Sequence, residues 1–311
     1  MLERKNRRKI LIALAIILLI ALIGLKSWRA WKHHKAEIFT APIICARIIR
    51  DIEYVPGSKD PFQNLDIYIP KKPKANPIPL IIWIHGGAWV AGDKNHPPAQ
   101  LILDRGYAVA SVNYRLTNRV PHPAQIFDCK AAIRFLRAHA AEYDLDPSRF
   151  GLWGHSAGGH LVALLGTSCG VKALEGDLGN NDCSSDVQAV VDWAGPSDLS
   201  TIAEQAPANC RIDFRSSSNP VALLMGAHQS RADYLAASPV SYVRKNNPPF
   251  LVLHAKDDDV VPVKQASELC DLLKKNSVPV LCHISPYGGH GLFRQEFLDE
   301  VMKFFDEKLH N

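Results

Sequence analysis

Three side chains that together can cleave an acyl bond occur at separate turns of this sequence: Ser156, Asp258 and His290. Ser156 is the centre of Gly154-His155-Ser156-Ala157-Gly158, a G-x-S-x-G pattern between the apolar run "FGLW" and the helix-like "AGGHLVALLG". A serine at such a strand-to-helix turn takes a strained backbone, and glycines two residues away on either side let strand and helix pass without collision. Its hydroxyl then stands at a helix N-terminus, where backbone N–H groups face a developing anion. Asp258 is chosen among Asp257, Asp258 and Asp259 because the phase acid-x-x-Val-Pro lands on it, with Val261 and Pro262 as its end. A buried carboxylate there fixes the tautomer of a histidine and stabilises its imidazolium. Asp257 then reads as a solvated turn and Asp259 as a contribution to a helix N-cap. His290 lies in "SPYGGHGLF", a glycine-rich loop that can swing an imidazole over a sheet edge. His254 and His283 fall inside strand patterns and read as core or edge residues. His155 and His160 flank the serine on a backbone that points them away from it.

A second glycine pair supplies the complementary half of such a site. His85, Gly86, Gly87, Ala88 and Trp89 follow the apolar run "IIWI". Glycines there let main-chain N–H groups turn inward, so Gly86 and Gly87, with the N–H of Ala157, are the expected oxyanion hole. His85 is expected to order that loop through hydrogen bonds. The sequence has no paired His/Cys cluster with zinc spacing and no G-x-G-x-x-G after a strand, so neither a metal nor an organic cofactor is expected.

The elements that must position these groups alternate. Strands are expected over 65–70, 79–86, 107–116, 150–153, 187–195, 249–255 and 278–285. Helices are expected over 124–143, after Ser156, over 263–276 and over 291–309. Near-continuous apolar strands between amphipathic helices mean a mostly parallel sheet covered on both faces, with its reactive groups outside the strands' carboxyl ends. Residues 196–241 lack that rhythm and read as a short cap-like insertion over the site.

The 311 residues, 47% hydrophobic and 22% charged, suit one large α/β domain. Much of the net charge of +5 sits in the first 35 residues, so the body carries no basic face for nucleic acid. A basic segment (1–9) precedes an uncharged apolar run (10–25), which Lys26 and Trp28 extend to a transmembrane signal anchor over 10–28. A linker over 29–44 then leads to a catalytic domain over 45–311. Basic residues are slightly denser on the N-side, which places the body outside the cytoplasm. Secretion after signal cleavage is the alternative, although 28–30 make a poor cleavage site. Seven cysteines leave at least one unpaired within a monomer. Cys270 with Cys282, and Cys183 with Cys210, are both open to a disulfide in an oxidising compartment, as is the reading that most cysteines are small buried apolar residues.

Taken together, the blocks "HGGAWVAGDK", "DLDPSRFGLWGHSAGGHLVALLG", "VVDWAGPSDL", "SPVSYV" and "HAKDDDVVPV" resemble an α/β-hydrolase of the hormone-sensitive-lipase-like class, closest to bacterial feruloyl and acetyl esterases. The Ser…Asp…His chain order is that of the α/β-hydrolase arrangement. The resemblance runs from about residue 51 to the C-terminus and implies ester hydrolysis by Ser156, Asp258 and His290 on a small-molecule ester. The N-terminal anchor is not part of it. Ala255 and Ala88 stand where that family usually has glycine, and neither change removes a backbone donor. H-G-G-x-W, with Trp89, also resembles aryl formamidases, which cleave an amide with the same groups. A membrane-tethered binding protein that keeps the fold without catalysis is a third reading, disfavoured because all three residues are present.

Overall fold

The computed structural model describes residues 38–309. The basic segment and the expected membrane anchor, residues 1–28, lie outside the described residues, as does most of the expected linker. Among the described residues no helix is long and apolar enough to cross a membrane.

Eight strands form one sheet: β1 (Arg47–Glu53), β2 (Asn64–Ile69), β3 (Ile78–Ile84), β4 (Ala108–Val112), β5 (Leu145–His155), β6 (Ala189–Trp193), β7 (Phe250–Ala255) and β8 (Val280–Ser285). Their order is β1-β2-β4-β3-β5-β6-β7-β8. β1 and β2 pair antiparallel, as do β2 and β4, and every other pairing is parallel. Every residue of β3, "IPLIIWI", is buried, because a parallel strand in mid-sheet is covered on both faces. β1 is different: its residues are exposed or half-buried, and the alternation in "RIIRDIE" is too weak to read as a strand. It forms because β2 offers it an edge.

Helices α1 (Ala99–Leu103) and α8 (Gln295–Lys308) cover one face, with Trp83, Trp153, Trp193 and Phe305 at that core. Helices α2 (Ala124–Ala138), α3 (Ala157–Thr167) and α7 (Val263–Lys275) cover the other, over Leu80, Ile82, Leu152 and Val190. The described end of the expected linker is not free. Ile38, Phe39 and Ile43 pack on the first face, and the Phe39 ring meets Phe293 edge-on at 5.1 Å.

Residues 196–241 contain three short helices, α4 (Ile202–Gln205), α5 (Pro220–Met225) and α6 (Arg231–Ala236). Asn219 caps α5 by accepting from Val221 and Ala222, and Ser230 with Asp233 forms a capping box on α6. Several ties hold this insertion over the sheet's carboxyl edge, among them the bonds of buried Gln265 on α7 to Ser197, Asp198 and Gln205. His160 of α3 hydrogen-bonds Ala237 O (2.8 Å), His122 N–H donates to Leu224 O (2.7 Å), and Arg211 pairs with Asp259 (2.9 Å).

Two expectations need correction. Asp259 does not cap α7. Pro262 occupies the N-cap without a side-chain bond, and Val260 and Val261 carry Asp259 away toward Arg211. The last helix starts at Gln295, not at 291, because Leu292 has φ 32°, outside the helical region. Of the two cysteine pairs left open, Cys270 and Cys282 form a disulfide between α7 and β8, whereas Cys183 and Cys210 remain thiols.

Candidate active site

β5 ends at His155, and Ser156 follows at φ 60°, ψ −122° before α3 begins. This left-handed backbone costs a non-glycine residue on the order of 1–3 kcal/mol and persists only where its surroundings impose it. They do so here. Ser156 N–H donates to Trp193 O (2.9 Å) and its carbonyl accepts from His160 N–H (3.0 Å). The flanking glycines leave no room for side chains: a Cβ on Gly154 would lie 2.3 Å from Gly158 O, and one on Gly158 would lie 2.1 Å from Ile84 O. Strand, turn and helix therefore touch backbone to backbone.

His290 reaches the serine from the loop between β8 and α8. Its Nε2 accepts from Ser156 Oγ at 2.8 Å, and its Nδ1 donates to Asp258 Oδ2 at 2.9 Å. Asp258 sits at the end of β7, 3% exposed, and its Oδ1 accepts the N–H groups of Val260 (2.8 Å) and Val261 (2.9 Å). Burial pushes its carboxyl up, but hydrogen bonds from His254 and His290 outweigh burial and hold it well below the usual carboxylate range. The side chains come from three strand ends far apart in sequence, as expected in a doubly covered parallel sheet.

The loop after β3 meets this group from the opposite side. A Cβ on Gly86 would lie 2.7 Å from His155 O and 3.4 Å from Ser156 Cβ, so the loop backbone is pressed against the serine turn. Gly87 has φ 117°, accessible in practice to glycine alone. Ala88 (φ 54°) and Trp89 (φ 60°) are left-handed without being glycine. Val90 and Ala91 N–H bond Gly87 O, and Thr117 N–H bonds Trp89 O, which holds the strained segment in place. At the far end of the loop, buried Lys94 pairs with Asp66 (2.7 Å) and Asp51 (2.8 Å). Ala157, first residue of α3, carries an N–H that has no partner within its own helix. His85 orders the loop as expected: its Nδ1 bonds Gly86 O at 2.8 Å and its ring stacks on Tyr114 at 4.3 Å. Burial lowers its pKa to about 4, so it stays neutral.

Three residues do more than their sequence context suggests. His254 is a core residue, and its Nε2–H points between Val261 O (2.9 Å) and Asp258 Oδ2 (3.2 Å). Asp257 accepts Gly289 N–H at 2.8 Å, so it is more than a solvated turn. His155, expected to play no part in the site, donates through Nε2 to the His290 carbonyl at 2.7 Å. The only signal in sequence is that two of them sit directly before a triad candidate.

The arrangement is chemically specific: a hydroxyl whose proton has an imidazole acceptor, an imidazole oriented by a carboxylate, and glycine backbone beside both. The BD-FAE family pattern matches residues 65–273, most of the sheet and both loops after β3 and β5. The chain belongs to the BD-FAE family. Its fold is the α/β-hydrolase fold. The chain is 31% identical over 264 residues to a probable carboxylic ester hydrolase, LipM, of Mycobacterium tuberculosis, across 80% of this chain and 58% of LipM. It spans a little over half the length of LipM and of the mycobacterial esterases LipC and LipQ. A kynurenine formamidase of Meyerozyma guilliermondii is 27% identical, across 68% of this chain and 77% of that protein. A solved truncated carbohydrate esterase from gut microbiota superposes with a TM-score of 0.76 at 33% identity, covering 86% of this chain and 98% of that one.

Proposed function

We propose that this BD-FAE chain is a serine carboxylesterase that hydrolyses short or moderately sized acyl esters through an acyl-enzyme. The observation that carries the reading is His290 bonded at once to Ser156 Oγ (2.8 Å) and Asp258 Oδ2 (2.9 Å). His290 Nε2 takes the hydroxyl proton as Ser156 Oγ attacks the acyl carbon. The carbonyl oxygen becomes an oxyanion that accepts from the N–H groups of Gly86, Gly87 and Ala157. Asp258 stabilises the imidazolium, which then delivers its proton to the leaving alkoxide as the ester C–O bond breaks. Water, deprotonated by His290, attacks the acyl-enzyme in the same hole and restores Ser156. No metal or organic cofactor takes part.

The compact insertion over 196–241 supports an open site for short acyl groups. The ester names of the mycobacterial relatives and of the gut-microbiota neighbour support the bond type. A second reading, amide cleavage of an aryl formamide, is favoured by Trp89 after the glycine pair and by the similarity to kynurenine formamidase. A p-nitrophenyl ester series from acetate to palmitate, run beside N-formyl-kynurenine, separates the two. We expect turnover to peak at short acyl chains and to fall in Ser156→Ala by a factor on the order of 10⁶. Fast formamide cleavage with poor ester turnover moves the function to the amidase reading. Silence on both substrates supports a non-catalytic binding role. More than a tenth of wild-type activity in Ser156→Ala removes the serine mechanism.

The proposal includes location. Residues 10–28 anchor the chain in a membrane, 29–44 connect, and the catalytic domain over 45–311 lies outside the cytoplasm. The Cys270–Cys282 disulfide supports that placement, because such bonds persist in oxidising compartments. Release of the domain after cleavage of the apolar segment is the alternative. Alkaline carbonate extraction of membranes, with protease access to intact cells, tests both.

A further inference from the structure

The loop that presents His290 is built to bend. It carries Gly288 at φ 139°, Gly289 at φ 58° and Leu292 at φ 32°. A ring that must hold two hydrogen bonds in line needs its main chain fixed, and glycines on one side do not fix it. Two side chains supply what the loop lacks. Asp257 Oδ1 accepts the N–H of Gly289 at 2.8 Å, just before the histidine. His155 Nε2 donates to the carbonyl of His290 itself at 2.7 Å. The backbone of His290 is thus gripped on both sides. The His155 ring also packs against the His290 ring (4.8 Å) and against Phe293 (4.9 Å), which walls off the loop from behind.

The two grips come from the elements that supply the ring's partners. His155 directly precedes Ser156, and Asp257 directly precedes Asp258. Each triad partner of His290 therefore arrives with a neighbour that holds the same histidine's main chain. A shift of the loop that would lengthen the Ser156 or Asp258 contact must also break one of these bonds. From this geometry, and resting on the proposed role of His290 as the base, we infer that His155 and Asp257 are positioning residues that set the rate of the chemical step.

The test uses p-nitrophenyl acetate and a fluorophosphonate, with the full chain and Ser156→Ala as the control. His155→Phe keeps a packed ring and removes the donor, and His155→Gln restores an N–H donor. Asp257→Ala removes the acceptor on an exposed side chain, and Asp257→Asn restores an acceptor without charge. We expect kcat to fall about tenfold in His155→Phe, equivalent to ~1.4 kcal/mol, and about threefold in Asp257→Ala. KM and Tm stay near wild-type values, and phosphonylation of Ser156 slows in step with kcat. Gln and Asn recover most of each loss. Two results overturn the inference: kcat within twofold of wild type in both His155→Phe and Asp257→Ala, or Gln and Asn variants as impaired as Phe and Ala with Tm falling in parallel. A wild-type protein with no Ser156-dependent turnover or labelling overturns the parent reading and this inference together. Turnover that depends on Ser156 but ignores the four variants overturns this inference alone.

Discussion

Reduction of the Cys270–Cys282 bond should lower the melting temperature by a calculable amount. The two cysteines are 12 residues apart, joining buried Cys270 on α7 to Cys282 on the edge strand β8. Closing a loop of that length in the unfolded chain removes about 9–10 cal/mol/K of entropy, or ~3 kcal/mol at room temperature. Unfolding entropy scales at about 2.1 cal/mol/K per residue, so a domain of this size loses ~5 °C for that change. Scanning calorimetry of the protein with and without dithiothreitol reads the shift directly. The Cys270→Ser/Cys282→Ser double variant should melt where the reduced protein does and ignore the reductant. An untreated protein that yields seven titratable thiols after denaturation, or a reduced protein melting within about 1 °C of the oxidised one, would refute the reasoning. Although β8 leads into the His290 loop, the triad's bonds involve neither cysteine, so activity measured at a fixed interval below each melting point should be the same for both forms.

Asp258→Asn should keep the fold and cut kcat by about 10⁴, because an amide in place of the carboxylate favours the wrong tautomer of His290; steady-state kinetics beside circular dichroism checks it. Gly158→Ala places a Cβ 2.1 Å from Ile84 O, a backbone atom of a central strand that cannot retreat. It should cost about 1–3 kcal/mol in urea unfolding and abolish fluorophosphonate labelling, and a stable, labelled variant would contradict the packing argument. Burial lowers the pKa values of His85, His122 and His160 to about 4, below their ordinary range near 6.5. Between those values the unfolded chain binds more protons than the folded one, so stability is full above pH ~6.5 and is lost as pH falls toward 4. The urea midpoint should drop steeply across that window, and a midpoint that is flat from pH 7 to 5 would show that these rings are not held neutral.

How much of this was legible depended on whether a feature is local. The G-x-S-x-G turn is a five-residue device, and its neighbours' hydrophobic periods are local as well, so strand, turn and helix around Ser156 could be read directly. Asp258 and His290 could be located because parallel strands leave their reactive groups at one edge, whatever lies between them. β1 was not legible, since its half-exposed residues carry no clean alternation and it depends on a partner strand. The bonds from His155 to His290 and from Asp257 to Gly289 span 135 and 32 residues, and nothing local beyond their place directly before Ser156 and Asp258 points to them. Asp259 was misread because an acid near a helix start resembles a cap until the proline between them is given its position. Between the two candidate cysteine pairs, only the adjacency of α7 and β8 decided, and that is a property of the sheet order.

The contacts between Gly154, Gly158, Gly86 and the strand carbonyls around them have an evolutionary consequence. Where main chain meets main chain, no side chain can be exchanged for another, so the centre of this site has almost no variants within one mutational step. The rim is different: the insertion is held by individual side chains, from His160, Arg211 and Gln265 among others, and by apolar residues such as Leu199 and Leu224 that pack on the core. Under the proposed esterase reading, a change of substrate would fall on the length and make-up of residues 196–241, while the serine turn is inherited unaltered. Lineages that share this centre can diverge widely in what they consume.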